Sequence, residues 1–190
     1  GNPMKTSSIY ALIHKLEMDG GVWWTKGGTN RLIAGMVRHF ERLGGTMRVG
    51  DPVVGIDVDG KRAKSVMTQS GHVQGFDAVA SNADIMHSYR DLLGKSQRGW
   101  SMGRRLKRKS YSPGLFVVHF GLEGTWPGIA HHMILFGPRY KGLLDDIYTN
   151  GVLPEDFSIY LHHPSKSDPS MAPPGMSTFY ALLPVAHQGK

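Results

Sequence analysis

Residues 21–45 read GVWWTKGGTNRLIAGMVRHFERLGG, and this stretch sets the frame for the rest of the chain. Its aromatic run, Val22-Trp23-Trp24, favours an extended, half-buried strand. The Gly27-Gly28 pair then opens backbone dihedrals closed to other residues. Thr29 is placed to cap a helix, and Leu32, Ile33, Met36, Val37, Phe40 and Leu43 follow at helical spacing. Gly44-Gly45 supplies the stop. The unit therefore reads strand, glycine turn, amphipathic helix, glycine stop. Two roles fit such a turn: an ordinary strand-to-helix connection, or a close backbone approach to a ligand as in nucleotide sites. The stretch has neither the phosphate-cradling GxxxxGK[ST] nor the dinucleotide GxGxxG.

Working upstream, Ile9, Leu12, Ile13 and Leu16 lie on one helical face, with Thr6, Ser7 or Ser8 as caps and Gly20-Gly21 as the end. Downstream the period changes from helical to alternating. Residues 46–49 predict a short strand, 53–58 a second, and Asp59-Gly60 a hairpin into a return strand over 63–69. Residues 72–76 and 77–80 predict two more strands, completing a β-meander. Asn82 or Asp84 caps a helix that runs to Leu93.

Residues 115–122, 133–136, 157–161 and 177–183 predict strands of a second, mostly antiparallel sheet. A helix over 139–148 carries Leu143, Leu144 and Ile147 on its buried side, and residues 164–175 form a long Pro- and Gly-rich loop. The fold class is thus α/β in the first part and α+β in the second.

Composition narrows the function classes. Hydrophobic content of 40% supports a real core, yet no apolar run approaches the roughly 20 residues of a membrane-spanning helix. Without cysteine there is neither a disulfide nor a thiolate metal site. A net charge of +7 favours acidic partners: phosphate backbones, anionic membranes or charged cofactors. The charge concentrates in residues 98–109, which include Arg104, Arg105, Lys107, Arg108 and Lys109. This segment reads as a solvated helix end, a membrane-surface patch or a nucleic-acid contact, and the flanks lack any aromatic or recognition-helix signature for the last.

No catalytic constellation is visible. His131-His132 and His162-His163 are adjacent pairs, and strand neighbours point to opposite faces, so no metal site is expected. There is no GxSxG and no carboxylate pair placed for acid–base work.

The order of motifs resembles the bacterial and fungal-type phytoene desaturases of the amine-oxidase-like flavoproteins. The residues that carry it are GNPMKTSSIYALIH (1–14), GVWWTKGGTNRLIAGM (21–36), VASNAD (79–84), YRDLL (89–93) and LFVVHFGL (115–122). Further along they are AHHMILFGPRY (130–140), LPEDFSIYLHHPSKSDPSMAPPG (153–175) and FYALLPVAH (179–187). Thr25 departs from the pattern, standing where relatives usually carry Pro.

The resemblance implies an interior segment of an FAD-dependent enzyme that introduces double bonds into a carotene. It implies that the meander and the glycine-turn helix (21–84) come from a Rossmann-like FAD-binding domain. Residues 85–190, with the helix of 1–20 on the same side, would belong to an antiparallel-sheet substrate domain. It further implies a backbone contact from Val53, or from Val54 in a shifted register, to the adenine of FAD. Both the pyrophosphate-binding glycines and the C-terminal flavin contacts would lie outside the segment, so the segment alone is not expected to retain FAD. The substrate would be lipophilic, which favours a cytoplasmic protein held peripherally at an anionic membrane through Arg104, Arg105, Lys107, Arg108 and Lys109, with no nucleic-acid partner. A carotenoid isomerase or ketolase of the same superfamily, or a non-enzymatic basic binding module, are the competing expectations.

Overall fold

A computed structural model describes residues 2–187. In chain order the elements are α1 (Ala11–Gly20), α2 (Thr29–Arg42), β1 (Val53–Asp59), β2 (Arg62–Thr68), β3 (Val73–Gly75), α3 (Ile85–His87) and α4 (Gln97–Leu106). They continue with β4 (Gly114–Glu123), β5 (His132–Leu135), α5 (Tyr140–Asp145), β6 (Ile159–His162) and β7 (Met176–Val185). The chain forms two compact units: Phe40–Ser110 is one, and the residues on either side of it make the other. Compactness thus divides the chain near residues 39 and 110, whereas the family resemblance draws its functional boundaries near 20 and 84.

The unit of Phe40–Ser110 begins inside α2, whose end is a complete Schellman motif. Gly45 N donates to Phe40 O, Gly44 N donates to Glu41 O, and Gly44 has φ +89°. A Cβ on Gly45 would run into the tip of the exposed Phe40 ring, which would have to turn aside.

Antiparallel β1, β2 and β3 then form a three-stranded meander in that order. Its hairpin pairs Asp59 with Arg62 around a two-residue loop, as Asp59-Gly60 foretold. At the other end Asp51 accepts from Ser70 N and Ser70 Oγ, and Gln69 N donates to Pro52 O, which closes the sheet mouth. Asp84 caps α3 by accepting from Met86 N and His87 N, and a wider π-type turn (Ser88–Leu92) extends it.

The flanking unit holds a separate antiparallel sheet of order β4-β7-β6-β5. The β4–β7 pair runs unbroken from Gly114↔Val185 to Glu123↔Met176. Its core is built on Phe179, 1% exposed, stacked on Phe120 and on His163. Leu143, Leu144 and Ile147 are buried along α5 and the turn after it, on the side that their spacing predicted. Arg139 joins two segments of this unit: its guanidinium meets Asp156 Oδ1 at 2.6 Å, and its amide donates to Asp156 Oδ2.

Three expected strands are not formed. Residues 22–24, 46–49 and 77–80 are irregular. A strand needs a neighbour's ladder, and the described part of each sheet offers these segments none. Val22, Trp23 and Val49 are correspondingly exposed.

Candidate functional site

The loop between β6 and β7 organises the sheet-bearing unit. It contains two short turns, Pro164–Lys166 and Pro169–Met171, and between them stands Asp168. One carboxylate oxygen, Oδ1, caps the second turn by accepting from Ser170 N and Ser170 Oγ. The other, Oδ2, accepts from Gly27 N at 2.5 Å and from Trp24 Nε1 at 3.2 Å. Asp168 is buried, and the Ser170 hydroxyl, the Gly27 amide and the Trp24 indole hold its carboxyl well below the usual carboxylate range.

This arrangement decides between the two roles of the glycine turn. Gly27 and Gly28 have φ +82° and +85°, and a Cβ on Gly28 would lie 3.1 Å from the Met171 methyl. The close approach the glycines permit is therefore to the protein's own 163–175 loop. The anion held by the Gly27 amide is Asp168 rather than a phosphate.

Next to Asp168 five aromatic side chains converge. His132 on β5 pairs in register with His162 on β6, and their rings stack 5.2 Å apart. His131 stands in the bend before β5, outside strand alternation, and its ring centroid is 4.4 Å from that of His132 and 4.7 Å from that of His162. Adjacency along the chain had argued that the histidine pairs diverge. The bend and the cross-strand register bring three of the four together instead. Trp24 meets His131 edge-on at 5.1 Å, and Tyr180 lies 4.5 Å from His162.

The hydrogen bonds of the cluster form a chain from Ser167 through His131 to His162 and a separate pair of His132 with Tyr160. His131 Nδ1 is 2.6 Å from Ser167 Oγ, His131 Nε2 is 2.8 Å from His162 Nε2, and His132 Nδ1 is 2.6 Å from Tyr160 OH. Burial, then the charge of the neighbouring imidazoles, lowers His162 to about 4, so it is neutral at physiological pH. Burial and the Tyr180 hydroxyl push Tyr160 up to about 12. The fourth histidine, His163, is withdrawn into the core against Phe179. Nothing in chain spacing announces the cluster; the signal that could have found it is the pairing of two HH dipeptides on neighbouring strands.

The residues singled out by sequence lie in the other unit. Val53 opens β1 opposite Thr68, and the register then skips so that Gly55 pairs with Met67. Val54 is the extra residue of that bulge. A cavity of about 320 Å³ lies against the same strand, lined by Val54, Ile56, Val58, Met67, Leu92 and Lys95 among others. The basic segment is α4 and the residues after it. Ser96 caps α4 by accepting from Gly99 N, and Arg104 and Arg105 occupy its last turn, where positive charge suits the helix dipole. Arg104 stacks over Trp100, 4.8 Å from the ring centroid, and Trp100 is 58% exposed. Val53 and these cations stand on different elements. No helix among the described residues is long and apolar enough to cross a membrane.

Comparison with known proteins accounts for these segments together. The family model described as flavin containing amine oxidoreductase matches residues 2–187. A lycopene-forming phytoene desaturase of Paracoccus sp. (strain N81106 / MBIC 01143) is 57% identical over 100% of this chain and 38% of its own length. That of Pseudescherichia vulneris is 48% identical with the same coverage, and a zeta-carotene-forming phytoene desaturase of Myxococcus xanthus is 34% identical over 98% of this chain and 35% of its own length. The chain thus spans about 38% of the length of the first of these relatives. An oxidoreductase from Methanosarcina mazei shares the fold with a TM-score of 0.68 at 18% identity, over 94% of this chain and 38% of that one. From its second residue to its last described one, the chain belongs to the flavin containing amine oxidoreductase family.

Proposed function

We propose that this chain is a segment of an FAD-dependent phytoene desaturase. The observation that carries the reading is 57% identity, without loss of coverage along this chain, to a lycopene-forming phytoene desaturase. The motifs behind that similarity also contact one another within the sheet-bearing unit. WWTKGGT meets DPSM through Asp168, and FGPRY meets EDFS through Arg139–Asp156.

FAD, when bound, accepts the two hydrogens removed from adjacent carbons as a double bond forms. The part assigned here to this chain is binding and shaping. The bulge at Val54 frees β1 from strict pairing at the position where a backbone contact to the adenine is expected, at Val53 or one residue on. In this reading residues 21–84 serve the cofactor, and residues 85–190 with the 1–20 helix serve the substrate. A polyene has no polar handle, so it needs an apolar wall. Exposed apolar side chains of the right chemistry stand on both faces of β4, Leu115 and Val117 on one and Phe116 and Val118 on the other.

The lipophilic substrate dissolves in membranes, and α4 suits contact with them. Trp100 is an exposed aromatic, and Arg104, Arg105, Lys107, Arg108 and Lys109 can face anionic headgroups of a membrane on the cytoplasmic side. To test the desaturase reading, the intact protein containing this segment is supplied with FAD and phytoene in liposomes. Chromatographic appearance of more unsaturated carotenes is expected, and recovery of isomerised or oxygenated phytoene alone would overturn it.

A further inference from the structure

Three imidazoles of the sheet-bearing unit have no part in the desaturase reading. His131 Nε2 and His162 Nε2 face each other at 2.8 Å. One ring nitrogen from each of His131, His132 and His162 lies within 4.8 Å of the others. A neutral imidazole carries one N–H, so this contact is either an N–H···N hydrogen bond or, with both Nε2 atoms deprotonated, a place for a metal ion between them. With metal–nitrogen bonds of about 2.05 Å, a right angle at the metal sets two ligand nitrogens about 2.9 Å apart. A tetrahedral angle sets them about 3.3 Å apart, so the two rings need to part by about half an ångström to share a tetrahedral ion.

The other ring nitrogens differ in their surroundings. His162 is 7% exposed, and its Nδ1 is the orphaned buried side-chain atom among the described residues. That nitrogen points away from the Nε2 that meets His131, so it calls for a water of its own and is a separate matter from an ion shared between the rings. The second nitrogens of the other two rings are already steered, His131 Nδ1 by Ser167 Oγ and His132 Nδ1 by Tyr160 OH. Such outer contacts orient imidazoles that ligate metals.

We propose that His131, His132 and His162 bind one divalent transition-metal ion, zinc or an ion of similar softness, with the remaining positions open to water. The donor set is three nitrogens with no carboxylate, which suits zinc, nickel or cobalt and disfavours magnesium and calcium. The proposal stands on the cluster's geometry and is independent of the desaturase reading.

The chain has ten histidines, so the test must separate this site from adventitious binding. The intact protein, stripped with a chelator, is titrated calorimetrically with zinc and separately with magnesium, and with cobalt while the visible spectrum is recorded. Stoichiometric zinc binding without magnesium binding is expected. Replacing exposed His132 by Gln, or His131 by Gln, weakens zinc binding by about tenfold or more, and Ser167→Ala weakens it to a lesser degree. His72→Gln, in the other unit, leaves it unchanged. Circular dichroism confirms that each variant is folded, and His132, lying at the surface, provides a variant that spares the core. Absence of saturable zinc binding, or equal affinity in the His131, His132 and His72 variants, would overturn the proposal.

Discussion

Asp168 accepts a hydrogen bond from the amide of Gly27, 141 residues earlier in the chain, at 2.5 Å. The same oxygen also takes the Trp24 indole, so one buried carboxylate fixes both ends of the glycine turn that precedes α2. Asp168→Asn removes the charge and puts a donor where acceptors are needed on at least one side. It is expected to lower the thermal midpoint by several degrees, whereas exposed Asp145→Asn leaves it within error. The pH dependence follows from the depressed carboxyl. Its stabilising contribution is present above the ordinary carboxylate range of about 4 and is lost as pH falls through the lower folded value. Acid unfolding should therefore be steeper in the parent than in the Asn variant, and equal slopes would contradict the role given to Asp168.

Gly28 faces two constraints, its positive φ and the Met171 side chain. Gly28→Ala is expected to destabilise by about 1–2 kcal/mol from the left-handed backbone alone, with the Met171 contact adding to it. Met171→Ala in the same chain makes room for the methyl but cannot relieve the backbone. The pair should therefore recover only the packing part in a denaturant titration, after correction for the loss of Met171 by itself. Full recovery would show that φ at this position is not the constraint.

The basic segment makes a prediction about surfaces. If α4 and the residues after it meet lipid, each cation adds roughly 1 kcal/mol of attraction to an anionic surface. Replacing Arg104, Arg105, Lys107, Arg108 and Lys109 by Gln then reduces co-sedimentation of the intact protein with anionic liposomes at low salt, and has little effect with neutral ones. The difference should fade as added salt shortens the Debye length. Equal binding by parent and variant would remove the membrane role, and turnover of detergent-solubilised substrate is expected to survive the changes.

Much of the fold was legible where local signals agree. The α2 helix, the Asp59-Gly60 hairpin, the Asp84 cap and the buried face carrying Leu143, Leu144 and Ile147 all follow from period and capping chemistry. The strands expected at 22–24, 46–49 and 77–80 show the limit of such signals. β propensity describes a side chain suited to a sheet, but a partner's ladder decides whether a strand forms. The node at Asp168 and the histidine cluster escaped for a related reason. Both join residues far apart in sequence, and pairing of Asp168 with Gly27 leaves no local pattern. For His131 and His132, alternation along a strand predicted divergence, but His131 sits one residue outside the strand.

The flavin account is tested most directly by an anaerobic single turnover of the intact protein with bound FAD and phytoene in liposomes. The prediction is bleaching of the oxidised flavin band in step with formation of one new carbon–carbon double bond for each flavin reduced. New double bonds formed while the flavin stays oxidised, or flavin that remains oxidised with phytoene unchanged, would contradict it.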